Sequence, residues 1–163
     1  MAAFIKFEGI DGETKDKNHT GWSDVFSISQ NIRNQGVSSL GKGRGEAIFE
    51  PIAIDKFLDK ASPKIAEALA NGKVISKVQI HITGNLVAEA RSTYLAYELR
   101  NVRIGGYALG GSFSVGVGQE DHPRETILLQ PEEIKMTYTE ADSAGKKKGT
   151  VEFGWSISQG TKI

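Results

Sequence analysis

Apolar and polar positions alternate along this chain with a period of two, in short runs set apart by Gly, Asn, Asp and Lys. That period predicts strands, and the chain reads as mainly β. The first run, AFIKFEG, alternates loosely through Ala3, Ile5 and Phe7. In WSDVFSISQ the alternation places Trp22, Phe26 and Ile28 on one face and Ser23, Ser27 and Ser29 on the other. GEAIFEPIAID alternates through Ile48, Ile52 and Ile54, and Pro51, which has no N–H to offer a ladder, predicts an edge strand or a bulge. In VISKVQIHITG, Val78, Ile80 and Ile82 oppose Lys77, Gln79, His81 and Thr83, the pattern of a strand with one wet face.

STYLAYELRNVRIGG runs through Leu95, Tyr97 and Leu99 and then moves its apolar set to Val102 and Ile104. This slip of phase near Arg100 predicts a β-bulge or bend that carries the strand from one sheet to another. GGYALGGSFSVGVG alternates Phe113, Val115 and Val117 with small residues, and TILLQ, IKMTYTE and VEFGWSIS follow, the last through Val151, Phe153, Trp155 and Ile157. DSAGKKKG, residues 142–149, reads as a mobile exposed loop between the last two strands. One stretch has a different period. ASPKIAEALANG predicts a helix over about residues 62–71, with Ser62 as N-cap, Pro63 at the first helical position, Ile65 and Leu69 on one face, and Gly72 as the stop. A helix this short must lie against the sheets. About eight strands and one helix predict a β-barrel-like pair of packed antiparallel sheets with one side α-helix, a single domain over residues 1–163.

Composition narrows the function classes. Twenty Lys+Arg balance twenty Asp+Glu, so no global field gathers nucleic acid or an anionic membrane, and none opposes association of identical copies. With no cysteine, disulfides, thiolate nucleophiles and thiolate zinc sites are excluded. The start, MAAFIKFEGI, has no basic region before a long apolar run, and no run of about 18 apolar residues occurs. Neither a Sec leader nor membrane insertion is expected, and folding in the cytoplasm is.

The candidate chemistry is sparse. GIDGETKDKNHTGW packs Asp11, Glu13, Asp16 and His19 together, but as a calcium loop from Asp11 it would need an oxygen ligand at Lys15, glycine at Asp16 and an acid at Trp22. It reads as a solvated turn. GKGRG, residues 41–45, lacks the spacing and the following helix of a phosphate loop. The stretch of residues 31–45 is longer than a hairpin needs, and no aromatic interleaves Arg33, Lys42 and Arg44, so these three are candidates for a protein contact, at a subunit interface, rather than an RNA clamp. His81 and His122 lie far apart with no nucleophile motif. The expectation is of no catalytic residue, no metal and no cofactor. The alternative is a small β-barrel binding module or enzyme with a pocket lined by His81, Tyr97 and His122.

Read in order, five segments resemble one family, the Hcp (haemolysin-coregulated) tube proteins of bacterial type VI secretion systems: FIKFEGIDGETKDKNHTGWSDVFSIS, DKASPKIAEALANGKVISKVQI, YLAYELRNVRIGGYALGGS, RETILLQPEEIKMTYT and GTVEFGWSIS. The cluster of Asp59, Lys60, Ser62 and Pro63 with Gly72 and Lys73 is the most specific part, followed by Gly9, Gly12, Glu13, Asp16, His19, Gly21 and Trp22. The resemblance implies a homohexameric ring with a wide channel. Such rings stack into a tube that a contractile sheath, acting with a spike, drives out of the cell, and the lumen carries secreted effectors. It implies export without a Sec signal, a structural role for the turn at 9–22, and a contact between protomers or rings for the loop at 31–45. Where many members read along the lines of SSVSTGGS, this chain has GGYALGGS, which keeps Gly110, Gly111 and Ser112 as candidates for the lumen or ring face. Phe113, Val115 and Val117 make the following segment more apolar than usual. No long C-terminal extension supports a fused toxin.

Overall fold

The computed structural model describes residues 1–36, 46–87, 90–112 and 122–163. Among them the chain forms eleven strands and one helix: β1 (Ala2–Phe7), β2 (Ser23–Ser29), β3 (Ile32–Gln35), β4 (Glu46–Phe49), β5 (Ile52–Phe57), α1 (Ser62–Ala70), β6 (Val74–Val87), β7 (Ala90–Gly110), β8 (Arg124–Gln130), β9 (Glu133–Ala141), β10 (Lys147–Ser156) and β11 (Thr161–Lys162). The extra strands relative to the sequence reading come from two sources. Pro51 divides the run around it into β4 and β5 rather than marking an edge or a bulge, and β5 then lies inside the sheet between β2 and β8. The long stretch after β2 contributes β3, which pairs with β4 as a separate two-stranded arm, Ile32 opposite Phe49 and Gln35 opposite Glu46.

Six strands close a barrel. β7, β6, β1, β2, β5 and β8 are hydrogen-bonded in that order, all antiparallel, and β8 returns to β7. Closure removes the open edges that a flat sheet would leave. β9, β10 and β11 continue outward from the first half of β7. β7 is therefore the hinge of the topology: up to Arg100, which faces Glu133, it pairs with β9, and from Arg103, which faces Gln130, it pairs with β8. The predicted bend sits between those two residues. Asn101 takes φ +49°, the one non-glycine residue in the left-handed region among the described residues. Its side chain donates to Glu132 Oε2 at 3.0 Å. β6 bends with β7, keeping register across the corner, Lys77 opposite Arg100 and Ile75 opposite Val102. The inward set accordingly slips from Val78 to Ile75 on one strand as it slips from Leu99 to Val102 on the other.

The core is mostly aliphatic, with Ile5, Ile52, Ile54, Ile80, Leu99, Val102, Ile127, Leu129 and Ile134 buried beside the Phe7 ring. The helix adds Ala61, Ile65 and Ala68 and packs against β7. Pro63 lies in its first turn and Gly72, at φ +66°, follows its end. Ser62 is not the cap. Ala61 occupies that position, no side chain caps the helix, and Ser62 is drawn into the core instead. Two further faces differ from expectation. β2 buries Ser23 and Val25 and leaves Phe26 43% exposed, because a register shift between Val25 and Ser27 reverses the alternation before Ile28. On β6 a shift between Ile82 and Thr83 turns Thr83 inward, where its hydroxyl donates to the Ala2 carbonyl. Residues 142–146 form an ordered turn whose Asp142 carboxylate accepts the amides of Ala144 and Lys146.

A polar network interrupts the aliphatic core. Lys56 and Glu125 face each other across β5 and β8, continuing the inward rows of Ile52 and Ile54 and of Ile127 and Leu129, and both are buried. The Lys56 ammonium lies 2.5 Å from Glu125 Oε1 and donates to Asp59 Oδ1 and the Phe57 carbonyl, each at 2.8 Å. Ser62 Oγ donates to Glu125 Oε1 at 2.8 Å and accepts the Asp59 amide, so the start of α1 is tied to the barrel wall. Tyr107 donates to Glu125 Oε2, and burial together with that carboxylate pushes its phenol up to about 12. Every buried side-chain polar atom among the described residues has a partner, as a low-dielectric interior demands.

Substitutions at two positions test this architecture by equilibrium denaturation at fixed protein concentration. Lys56→Met leaves Asp59 and Glu125 without their counter-charge and is expected to cost about 3–5 kcal/mol; a loss of less than about 1 kcal/mol would contradict the network's role. At the corner, Asn101→Val is expected to lose about 1–2 kcal/mol through left-handed strain, while Asn101→Gly stays within about 1 kcal/mol of wild type. Equal losses in the two variants would place the effect in the Glu132 contact instead.

Candidate assembly surfaces

The β3–β4 arm carries Arg33. Its Nε lies 3.2 Å from Glu50 Oε1, and both side chains are exposed, as is Ile32 beside them. The arm is fastened at its base, where the Glu50 amide donates to the Asn31 carbonyl and the Phe49 ring stacks on Trp155 at 6.4 Å. Beside that base, Gln30, Phe49, Pro51, Ile52, Pro131 and Ile157 line a cavity of about 220 Å³. Lys42 and Arg44 lie outside the described residues, as do Phe113, Val115 and Val117. Arg33 is thus an exposed residue on a projecting arm.

Gly110 ends β7, and Gly111 and Ser112 follow it, all three exposed. They border an open groove together with Leu109, His122 and Arg124. Next to it stands an aromatic cluster that the sequence reading missed. Phe26 on β2 and Phe57 on β5 have ring centroids 5.1 Å apart, the Arg124 guanidinium lies 4.8 Å over Phe26, and His122 meets the Phe57 ring at 5.9 Å. Cation–π contact of this kind holds an exposed arginine flat on apolar surface. Leu58 and Leu109, both exposed, extend the patch. Its sequence signal was hidden by the shift in β2, which put Phe26 on the wrong face.

The β9–β10 hairpin offers a second apolar surface. Tyr138 and Val151 are directly paired across the two strands and are 47% and 72% exposed. On its other side β10 is paired with β11 only at Trp155 and Ser156, so toward Lys147 its outer edge has no ladder partner among the described residues. An unpaired edge flanked by exposed apolar side chains is a template for another chain.

His81, Tyr97 and His122 do not meet in one pocket. Tyr97 faces the core beside Ile80, whereas the neighbouring pair, His81 and Ala96, points to the opposite face. His122 sits against Phe57. Among the described residues no group of three His, Cys, Asp or Glu is placed to hold a metal ion, and no helix is long and apolar enough to cross a membrane. The turn at 9–22 is more than a solvated turn. His19 is buried, and its ring stacks on Phe4 at 4.2 Å and meets Trp22 and His81 edge-on.

Comparison with known proteins agrees with the barrel. The family model described as "Type VI secretion system effector, Hcp" matches residues 4–138. Protein hcp1 of Pseudomonas aeruginosa is 28% identical over 159 residues, covering 96% of this chain and 94% of that protein. A solved type six secretion system protein superposes with TM-score 0.89 at 26% identity over 99% of both chains. Hcp1 from Salmonella typhimurium superposes with TM-score 0.77 at 25% identity over 99% of this chain and 98% of that one. Barrel, side helix and matched sequence together place this chain in the Hcp family of type VI secretion proteins.

Proposed function

We propose that this protein is a structural subunit of the type VI secretion tube. Copies close into a hexameric ring, rings stack into a tube, the lumen carries effectors, and contraction of a surrounding sheath exports the tube with its spike. The observation that carries this reading is the match, over 98–99% of both chains, to a type six secretion system protein and to an Hcp1 structure, joined to a barrel whose buried side-chain polar atoms, among the described residues, all have partners. What remains unsatisfied lies outside: the Tyr138–Val151 face, the open edge of β10 and the Phe26–Phe57 patch.

The mechanism is geometric. A ring is built on a heterologous interface, in which one patch meets a different patch on the next copy and a fixed rotation returns to the start. The β10 edge with Tyr138 and Val151 supplies one such patch. Arg33, with Lys42 and Arg44 of the stretch 31–45, supplies contacts between protomers or stacked rings, and Gly110, Gly111 and Ser112 border the lumen or a ring face. Balanced charge lets copies meet without net repulsion. No step of this work needs a cofactor or a catalytic group.

Two variants test the reading by negative-stain electron microscopy. Val151→Asp, at an exposed position that leaves the barrel intact, is expected to abolish rings at concentrations where wild type forms them. Replacing residues 41–45 with a short Gly-Ser linker is expected to leave rings intact and reduce their stacking into tubes. Unchanged rings in the first variant, or unchanged tubes in the second, would refute the assigned contact.

A further inference from the structure

We propose that Asp16, His19 and His81 form an acid-operated latch that fastens residues 11–22 to the outer face of the barrel, and that double protonation of the two imidazoles releases this segment while the barrel stays closed. The latch is independent of the ring contacts assigned above.

The segment is tied to the barrel by Lys6, which donates to Asp11 Oδ1 and the Gly21 carbonyl, by the Thr14 hydroxyl, which donates to Asp24, and by His19. Two backbone bonds close it on itself. The Gly12 amide donates to the Gly21 carbonyl and the Thr14 amide to the Trp22 carbonyl, each at 2.9 Å. A Cβ at Gly12 would overlap the Trp22 backbone, so the approach requires glycine. Beneath the segment, Phe4 on β1 is paired with His81 on β6 and with Asp24 on β2, all on the outer face. Phe4 is buried although it lies outside the core cluster, and what covers it is the ring of His19. His19 is therefore the one buried side chain that the segment presses onto this face between Asp11 and Gly21.

Its two nitrogens are both engaged. Nδ1 lies 2.7 Å from Asp16 Oδ1, and Nε2 lies 3.1 Å from His81 Nδ1. Asp16 accepts the Nδ1 proton, which leaves a single proton to be shared along Nε2···Nδ1 between the rings. Uncharged, the pair has one donor and one acceptor at that contact. With one added proton it still does, and the Asp16 carboxylate stands as counter-charge. A second added proton puts two N–H donors face to face and two positive rings in contact, partly out of water, which neither hydrogen bonding nor Asp16 offsets.

The surrounding charges do not supply relief. On the segment, Glu13 and Lys15 line the neighbouring groove with opposite charges. On β1, Lys6 is held by Asp11 and the Gly21 carbonyl. On β2, Asp24 accepts the Thr14 hydroxyl. The flanking positions on β6, Gln79 and Thr83, and the facing Ala96 on β7 carry no charge. Burial first, and then the charge of His19, hold the His81 imidazole below its ordinary value of 6.5. With its value depressed when latched, His81 binds more protons when the segment is released. Latch stability is thus full above the ordinary value and falls as pH drops through it toward the depressed value.

Hydrogen exchange of the wild-type protein at pH 7.5 and pH 5 tests the latch, with exchange corrected for its intrinsic pH dependence. The amides of Gly12, Thr14, His19 and Trp22 are expected to open by up to about tenfold per pH unit below 6.5, while those of Leu99 and Ile127 stay protected. In His81→Gln, which keeps a polar partner for His19 but does not titrate, the acid response of the four amides is expected to vanish. Fluorescence of Trp155→Phe, in which Trp22 is the one tryptophan, gives a second readout, expected to shift to the red over the same pH range. Unchanged exchange in wild type, equal opening of Leu99 and Ile127, or the same acid response in His81→Gln would each overturn the proposal.

Discussion

The structure depends on a single strand that is too long for one sheet. β7 spans Ala90–Gly110 and must find backbone partners along its whole length, because buried N–H and C=O groups are costly when unpaired. It does so by turning at Asn101, pairing with β9 before the corner and β8 after it, with β6 alongside from Ala90 to Arg103. The corner closes the barrel and at the same time throws β9, β10 and β11 outward. Closure gives one stable core; the projection leaves the exposed surfaces proposed above for contact between copies.

Satisfaction of polar groups divides the molecule in the same way. Inside, Lys56, Asp59, Ser62, Glu125 and Tyr107 complete one another and tie the helix to the wall. Removing one member is costly even though such networks add little net stability when complete. Outside, the arm of β3 and β4 and the hairpin of β9 and β10 bear exposed Ile32, Tyr138 and Val151. The family match over residues 4–138 reaches every strand of the barrel, and a rigid body of this kind suits a tube subunit.

Much of the fold was legible in the sequence because the alternation of side chains is a local property. The barrel class, the side helix with Pro63 and Gly72 at its ends, and the bend near Arg100 all follow from periods and phase slips. Where a register shift reversed the phase without a local marker, the reading failed: Phe26 faces out and Thr83 faces in. Lys56 and Glu125 were readable in principle, since each stands two residues beyond an inward isoleucine, but charge argued for the surface and only the partner strand reverses that. The burial of His19 had no local signal, because its contact with His81 spans 62 positions. The surfaces were the least legible part, since exposure of Val151 and Tyr138 is decided by which strands lack a neighbour.

The account rests on the claim that the molecule works by joining its own copies through the surfaces that barrel closure leaves exposed. Native mass spectrometry of the purified chain at graded concentrations tests it most directly. A dominant species of six copies, each of 17.6 kDa, is the predicted result; a monomer that persists at the highest concentration would contradict it.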